Sequence, residues 1–284
     1  MKYARISGFA DEIAGDVDTQ FQVLNKLGLG YFEPRGIDGK NIANLTDEEV
    51  ERLKGKMERD GIRVSSIGSP VGKVKLEEDF EEHFRQFRRV VEIAGLLDAR
   101  YIRIFSFYHE GGPEWTDAER AEVLSRLGRM IAYAAQRDVV LLHENEKDIY
   151  GDTADRCVDL MEELGCEHFR GVFDPANFVQ CGQDTWEAYE RLKGHIAYVH
   201  IKDALLADGR VVPAGLGDGN VERILRSLLE TGFDGFLSLE PHLGSFDGLK
   251  DLELDDKMQN LPPGGEGTFT LAFQALEGIL ERVL

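Results

Sequence analysis

Four short stretches carry the residues whose types and spacing could do chemistry: LHENE (142–146), FDPANF (173–178), VHIKD (199–203) and LSLEPH (237–242). Each is an apolar run that reaches a carboxylate or an imidazole, at Glu144, Asp174, His200 and Glu240. Three carboxylates and one imidazole suit a divalent cation with mixed oxygen and nitrogen ligation, such as Mn²⁺ or Mg²⁺. There is no thiolate among them to favour a structural zinc. Taken singly, each acid reads as a solvated loop residue. Four at matched ends of consecutive apolar runs read as one site.

Positioning them requires a repeating frame, and the chain has one. Short apolar runs alternate with longer amphipathic stretches. The strand candidates are ARISGFA, YFEPRG, IRVSSIGSP, RYIRIFSF, VVLLHE, FRGVFD, IAYVHIKD and GFLSLEPH. Between them lie helical patterns: DVDTQFQVLNKLG, a stretch opened by the capping-box pair Thr46 and Glu49 and closed near Gly61, Phe80 to Leu97, a stretch capped by Thr116, TADRCVDLMEELG, Trp186 to Leu192, NVERILRSLLETG and FTLAFQALEGILERVL. Eight strand-then-helix units without a linker predict an α/β fold, a single (β/α)8 barrel over residues 1–284. The Gly- and Pro-containing segment 244–268 reads as a long active-site loop.

In such a barrel the chemistry sits at the strand ends. Neighbouring strands lie about 4.8 Å apart, so donors from strands five to eight can converge above the core. Period-two alternation puts Ser238, Glu240 and His242 on one face of strand eight, with Leu237 and Leu239 on the other. It likewise groups Tyr198 with His200 against Val199 and Ile201. Strand five is apolar on both faces, and alternation alone does not choose between Glu144, His143 and Asn145.

The bulk composition narrows the partners. The chain of 284 residues is 42% hydrophobic, with a net charge of −20 and a pI near 4.8. A surface that acidic repels nucleic-acid phosphates and anionic lipid, and suits a protein acting on a small molecule. Cys157, Cys166 and Cys181 form no disulfide framework or zinc-knuckle pattern and fit reduced thiols in a cytoplasmic protein. No signal peptide is expected from MKYARISGFADEI, and no apolar run approaches the roughly 20 residues of a membrane span.

The motifs LHENE, FDPANF, VHIKD and LSLEPH, in that order, resemble the xylose isomerase-like TIM barrel superfamily. More closely they resemble its sugar isomerase/epimerase branch, which includes D-tagatose 3-epimerase-type enzymes and inosose dehydratase. The resemblance spans essentially the whole chain. It implies that Glu144, Asp174, His200 and Glu240 hold one divalent metal, usually Mn²⁺, with Mg²⁺, Co²⁺ and Zn²⁺ as alternatives. It also implies that Glu144 and Glu240 double as acid/base catalysts on opposite sides of a keto-sugar substrate. Proton transfer through a metal-stabilised ene-diolate then gives an isomerase or epimerase. Loss of a leaving group from the same ene-diolate gives a lyase or dehydratase acting on a keto-sugar, inosose or keto-glycoside. A non-catalytic sugar-binding barrel and an endonuclease IV-like phosphodiesterase rank below these.

The sequence departs from its relatives in two places. Many have His three residues after the strand-six Asp, where this chain has Asn177. The DNA-repair endonuclease branch carries an Asp-x-His after strand seven, where this chain reads PAGLGDGN. Both departures point to a single metal. Further candidates for contacting the sugar are Arg35, which shares a face with Glu33, together with His109, Trp115, Asn177, Lys202 and His242; Ser69 is another polar residue at a strand end. A surface ion pair competes with that role at Arg35, a plain exposed-loop position at His109 and plain packing at Trp115. Gly217 and Gly219 could let their loop approach a ligand. Homo-oligomer formation stays open.

Overall fold

The computed structural model describes residues 3, 5–112, 114–243 and 265–284. Eight strands run in the order expected from the sequence: Ile6–Gly8, Tyr31–Phe32, Arg63–Val64 continued by Ile67–Gly68, Tyr101–Ile104, Val140–Glu144, Phe169–Phe173, Ile196–Ile201 and Phe236–Leu239. Strand eight pairs in parallel with strands one and seven, and the same parallel sheet continues through strands six, five and four to Ile67–Gly68. Strand two closes the ring. It pairs in parallel with Arg63–Val64, Glu33 N donates to Gly8 O at 2.9 Å, and Gly68 N donates to Pro34 O at 2.9 Å. The result is a closed (β/α)8 barrel.

Helices α1 (Val17–Lys26), α2 (Asp47–Asp60), α3 (Phe80–Leu96), α4 (Asp117–Ala135) and α5 (Ala154–Leu164) cover the outside, followed by α6 (Pro175–Gln180), α7 (Thr185–Leu192), α8 (Val221–Glu230) and α9 (Gly265–Val283). Their boundaries follow local chemistry. Thr46 and Glu49 form the expected capping box on α2, as do Thr116 and Glu119 on α4. Gly61 ends α2 at φ +69°, in the left-handed region open to glycine. No helix among the described residues is long and apolar enough to cross a membrane.

The core has two parts. The large outer one lies between the strands' outward faces and the helices, and includes Leu141, Phe173, Val199, Ile201, Leu237 and Leu239. The small inner one fills the lower barrel with Val140, Leu142, Val172, Tyr198 and Phe236. This division settles strand five. Val140 and Leu142 point inward, so Glu144 follows them inward, while Leu141 and His143 face the helices.

Several boundaries differ from expectation. Strand two is only two residues long, and the chain then turns into a hairpin, Gly36–Ile37 with Lys40–Asn41. Strand three is interrupted at Ser65 and Ser66. Strand eight stops at Leu239, because Pro241 cannot donate to a ladder and His242 adopts φ +45°. A short helix, α6, follows strand six directly, and it was not expected. Residues 265–268 of the expected long loop belong to α9; the rest of that segment lies outside the described residues.

Candidate metal centre

Glu144, Asp174, His200 and Glu240 come together at the upper end of the barrel. One ligand atom from each lies within 4.8 Å of the others, and all four residues are buried. His200 Nδ1 is 3.0 Å from Glu144 Oε1, 3.5 Å from Glu240 Oε2 and 3.9 Å from Asp174 Oδ2. Burial alone would raise the Glu144 carboxyl, but the charges of His200 and Arg103 hold it down at about 2. Glu240 is likewise held well below the usual carboxylate range, against burial, by Lys202 and His200. Asp174 goes the other way: burial, reinforced by Glu240 and Glu144, lifts it to about 7 despite Lys202.

Local structure aims these groups. Asp174 is the N-cap of α6, its Oδ1 accepting from Asn177 N at 2.9 Å, and Pro175 occupies the first helical turn. That cap turns the chain sharply at the strand end and leaves Oδ2 without an aligned hydrogen-bond donor among the described residues. Asn145 lashes strand five to strand six: its Nδ2 donates to Asp174 O and its Oδ1 accepts from Asp174 N, both at 2.9 Å. Asn177 Nδ2 donates to Asn145 O at 2.9 Å and to Glu144 Oε1 at 3.3 Å.

Three cations surround the carboxylates. Lys202 Nζ stands 2.9 Å from Asp174 Oδ2 and 3.0 Å from Glu240 Oε2. Burial disfavours its charge, but those two acids hold the amine well above its ordinary value. Arg103 Nη1 donates to Glu144 Oε2 at 3.0 Å and Nη2 to Ser69 O at 3.3 Å, with its guanidinium over the Phe9 and Phe105 rings. Arg35 donates to Asp11 at 2.8 Å and to Glu12 and Glu240 at 3.3 Å each. Burial and the nearby Glu240 lift the Glu12 carboxyl to about 7.

Of the further candidates, Arg35, Asn177, Lys202 and His242 all reach the cluster. His242 Nε2 is 3.5 Å from Glu240 Oε1 and 3.4 Å from Glu12 Oε1. His109 and Trp115 are engaged elsewhere. Their rings stack at 3.9 Å, His109 Nδ1 is 2.9 Å from Glu119 Oε1, and Trp115 packs edge-on against Tyr150. His143 faces the helices and bonds Ser106 Oγ at 3.0 Å. Gly217 and Gly219 make room for Asp203, since a β-carbon at either would fall within 2.6 Å of its Oδ1.

Arg103, Glu12 and Asp11 were not singled out from sequence. Arg103 alternates with Ile102 and Ile104 in RYIRIF, and an arginine inside an apolar strand is the signal that could have found it. Glu12 and Asp11 lie beyond the end of strand one, where no periodicity points.

The donor set fits a divalent ion. Hard carboxylate oxygens with one imidazole suit Mn²⁺, Mg²⁺, Co²⁺ or Zn²⁺, and Asp174 Oδ2, paired with the Lys202 ammonium but without an aligned hydrogen bond among the described residues, is turned toward the other donors. A family model described as "Xylose isomerase-like TIM barrel" matches residues 21–259.

The chain belongs to the xylose isomerase-like TIM barrel family. A 3-dehydroshikimate dehydratase of Bacillus anthracis is 22% identical over 259 residues, covering 84% of this chain and 90% of the relative. Among solved structures, an IolI protein with a bound zinc atom superposes with a TM-score of 0.77 at 16% identity, covering 99% of both chains. A D-tagatose 3-epimerase-like protein gives 0.73 at 15% identity, covering 99% of this chain and all of the other. At these identities the superpositions establish the shared fold.

Proposed function

We propose that this chain is a divalent-metal-dependent isomerase or epimerase that moves a proton at the carbon beside the carbonyl of a small keto sugar or its derivative. One observation carries this: two glutamates from non-adjacent strands, Glu144 and Glu240, share a buried four-donor cluster, and flanking cations keep both ionised. Two carboxylate bases on either side of one substrate are what proton removal and return on opposite faces requires.

The ion, when bound by Glu144, Asp174, His200 and Glu240, would supply Lewis-acid polarisation of a carbonyl. Glu144, anchored by Arg103, takes the proton from the substrate carbon. Lys202, 2.9 Å from Asp174 and 3.0 Å from Glu240, offers its ammonium to the oxygen on which negative charge develops. Glu240, braced by Arg35, delivers a proton drawn from solvent to the opposite face. Phe9 and Phe105, both fully buried, wall the arginine side of the site.

A second outcome has a specific observation behind it. The curated relative that matches 84% of this chain is named as a dehydratase, and the same proton removal followed by loss of hydroxide completes a dehydration. Incubating metal-loaded protein with ketoses, inososes and keto-glycosides in D₂O separates the two. Deuterium at the carbon beside the carbonyl with an epimeric or isomeric product supports the leading proposal. Loss of water or of an aglycone without epimer moves the assignment to a lyase. No exchange with any of them rejects both. Glu144→Gln and Glu240→Gln should each abolish steady-state turnover, while one-sided exchange can persist in one of them.

A further inference from the structure

On the basis of the metal centre proposed above, we infer that Glu33 is the positioning residue that fixes the ring orientation and tautomer of His200. Its carboxylate does so by accepting the proton on Nε2, so that Nδ1 presents its lone pair to the ion.

Glu33 is fully buried, as is His200. Its Oε2 accepts from Tyr198 Oη at 2.8 Å and from Ser238 Oγ at 2.7 Å. Tyr198 is held in turn by Ser65 Oγ at 2.9 Å, and Ser65 by Ser7 Oγ at 2.6 Å. Strands one, two, three, seven and eight therefore all contribute to holding this one acid in place. Hydroxyls alone are poor compensation for a carboxylate removed from water, so a fully buried Glu needs an N–H or cationic partner as well. The nearest such group is the imidazole: His200 Nε2 is 3.4 Å from Glu33 Oε2.

The two ring nitrogens of His200 have separate surroundings. Nδ1 faces Glu144, Glu240 and Asp174, at 3.0 to 3.9 Å. Nε2 faces Glu33 Oε2 at 3.4 Å, without an aligned hydrogen bond to it or to any other group among the described residues. An ion held among the three carboxylates is within reach of Nδ1 only. Nδ1 can ligate only when the ring proton resides on Nε2, and there Glu33 is the acceptor. The Phe9 ring meets His200 edge-on at 5.2 Å and hinders ring rotation. A carboxylate behind a ligating imidazole also makes the ligand nitrogen more basic, and losing such a partner typically weakens metal binding or activity roughly 10- to 100-fold.

The test pairs ring spectroscopy with metal titration. In zinc-loaded, histidine-¹⁵N-labelled protein, long-range ¹H–¹⁵N spectra should show His200 metallated at Nδ1 and protonated at Nε2, with a slowly exchanging Nε2–H. Glu33→Gln keeps the shape and an acceptor but loses the charge. It should bind Mn²⁺, followed by the free-ion electron paramagnetic resonance signal, roughly 10- to 100-fold more weakly, with a shifted and faster-exchanging Nε2–H. Tyr198→Phe and Ser238→Ala, which loosen the acid without removing it, should show smaller losses in the same direction. Metal on Nε2 in the wild-type spectrum overturns the inference without any variant. So does a Glu33→Gln protein whose Mn²⁺ affinity and Nε2–H signal match wild type, provided Asp174→Ala abolishes binding. If the wild type binds no divalent ion, or Asp174→Ala binds as tightly as wild type, the metal centre itself fails, and the inference with it.

Discussion

Lys202 Nζ bridges Asp174 Oδ2 and Glu240 Oε2, at 2.9 and 3.0 Å, and so ties the end of strand six to the end of strand eight. A fixed ammonium thus sits beside the oxygens proposed to hold the ion. Lys202→Met should leave one metal ion per chain, since no ligand is lost. Turnover should fall about 10²- to 10³-fold, the scale of removing one donor to a developing oxyanion. Elemental analysis and steady-state rates on the same preparation check it, and unimpaired turnover would remove Lys202 from the mechanism.

Metal content is the second expectation. Purified protein incubated with Mn²⁺ and dialysed should retain one ion per chain. Asp174→Ala and His200→Ala should retain far less, because each removes one of four donors from a buried site. Wild-type content in both variants would mean that the ion, if any, lies elsewhere.

Asp203 builds the loop after strand seven. Its carboxylate accepts from the backbone N–H of Ala204, Gly215, Gly217 and Gly219 at 2.8 to 3.0 Å. Asp203→Ala leaves those donors without their acceptor and should cost about 2–4 kcal/mol, given about 1.5–3 kcal/mol for a bond to a charged group and partial rescue by water. Gly217→Ala should also destabilise, because its β-carbon would lie 2.4 Å from Asp203 Oδ1. Urea unfolding measures both, and wild-type midpoints would show that the loop does not depend on this carboxylate.

The pH dependence of stability has an identifiable contributor in His83. Its Nε2 accepts from Gly72 N at 3.0 Å. Burial, helped by the Arg126 guanidinium, lowers the imidazole to about 4. Between that value and about 6.5, the unfolded chain binds a proton that the folded chain does not. The contribution is therefore intact above about pH 6.5, falls as the pH drops toward about 4, and amounts to a loss on the order of 3 kcal/mol. His83→Gln, which can still accept from Gly72 N, should show a correspondingly smaller loss over that window than wild type. Parallel curves for the two proteins would assign the slope to other groups.

Much of this architecture was written in local pattern. Strand–helix alternation, the Thr46 and Thr116 caps and the period-two faces of strands seven and eight depend on neighbours within a few residues, so a linear reading finds them. The order of LHENE, FDPANF, VHIKD and LSLEPH likewise places Glu144, Asp174, His200 and Glu240 at successive strand ends. Other features depend on contacts between residues far apart in the chain. The inward turn of Glu144 follows from Val140 and Leu142 joining Val172, Tyr198 and Phe236 inside the barrel, which no run of apolar residues on both faces can signal. Arg103 meets Glu144 across 41 positions, and Glu33 meets His200 from three strands round the barrel. Residue types and strand ends set the available ligands, because they are local properties of the chain. Barrel closure decided which buried charges face one another, because that depends on which strands the ring makes neighbours.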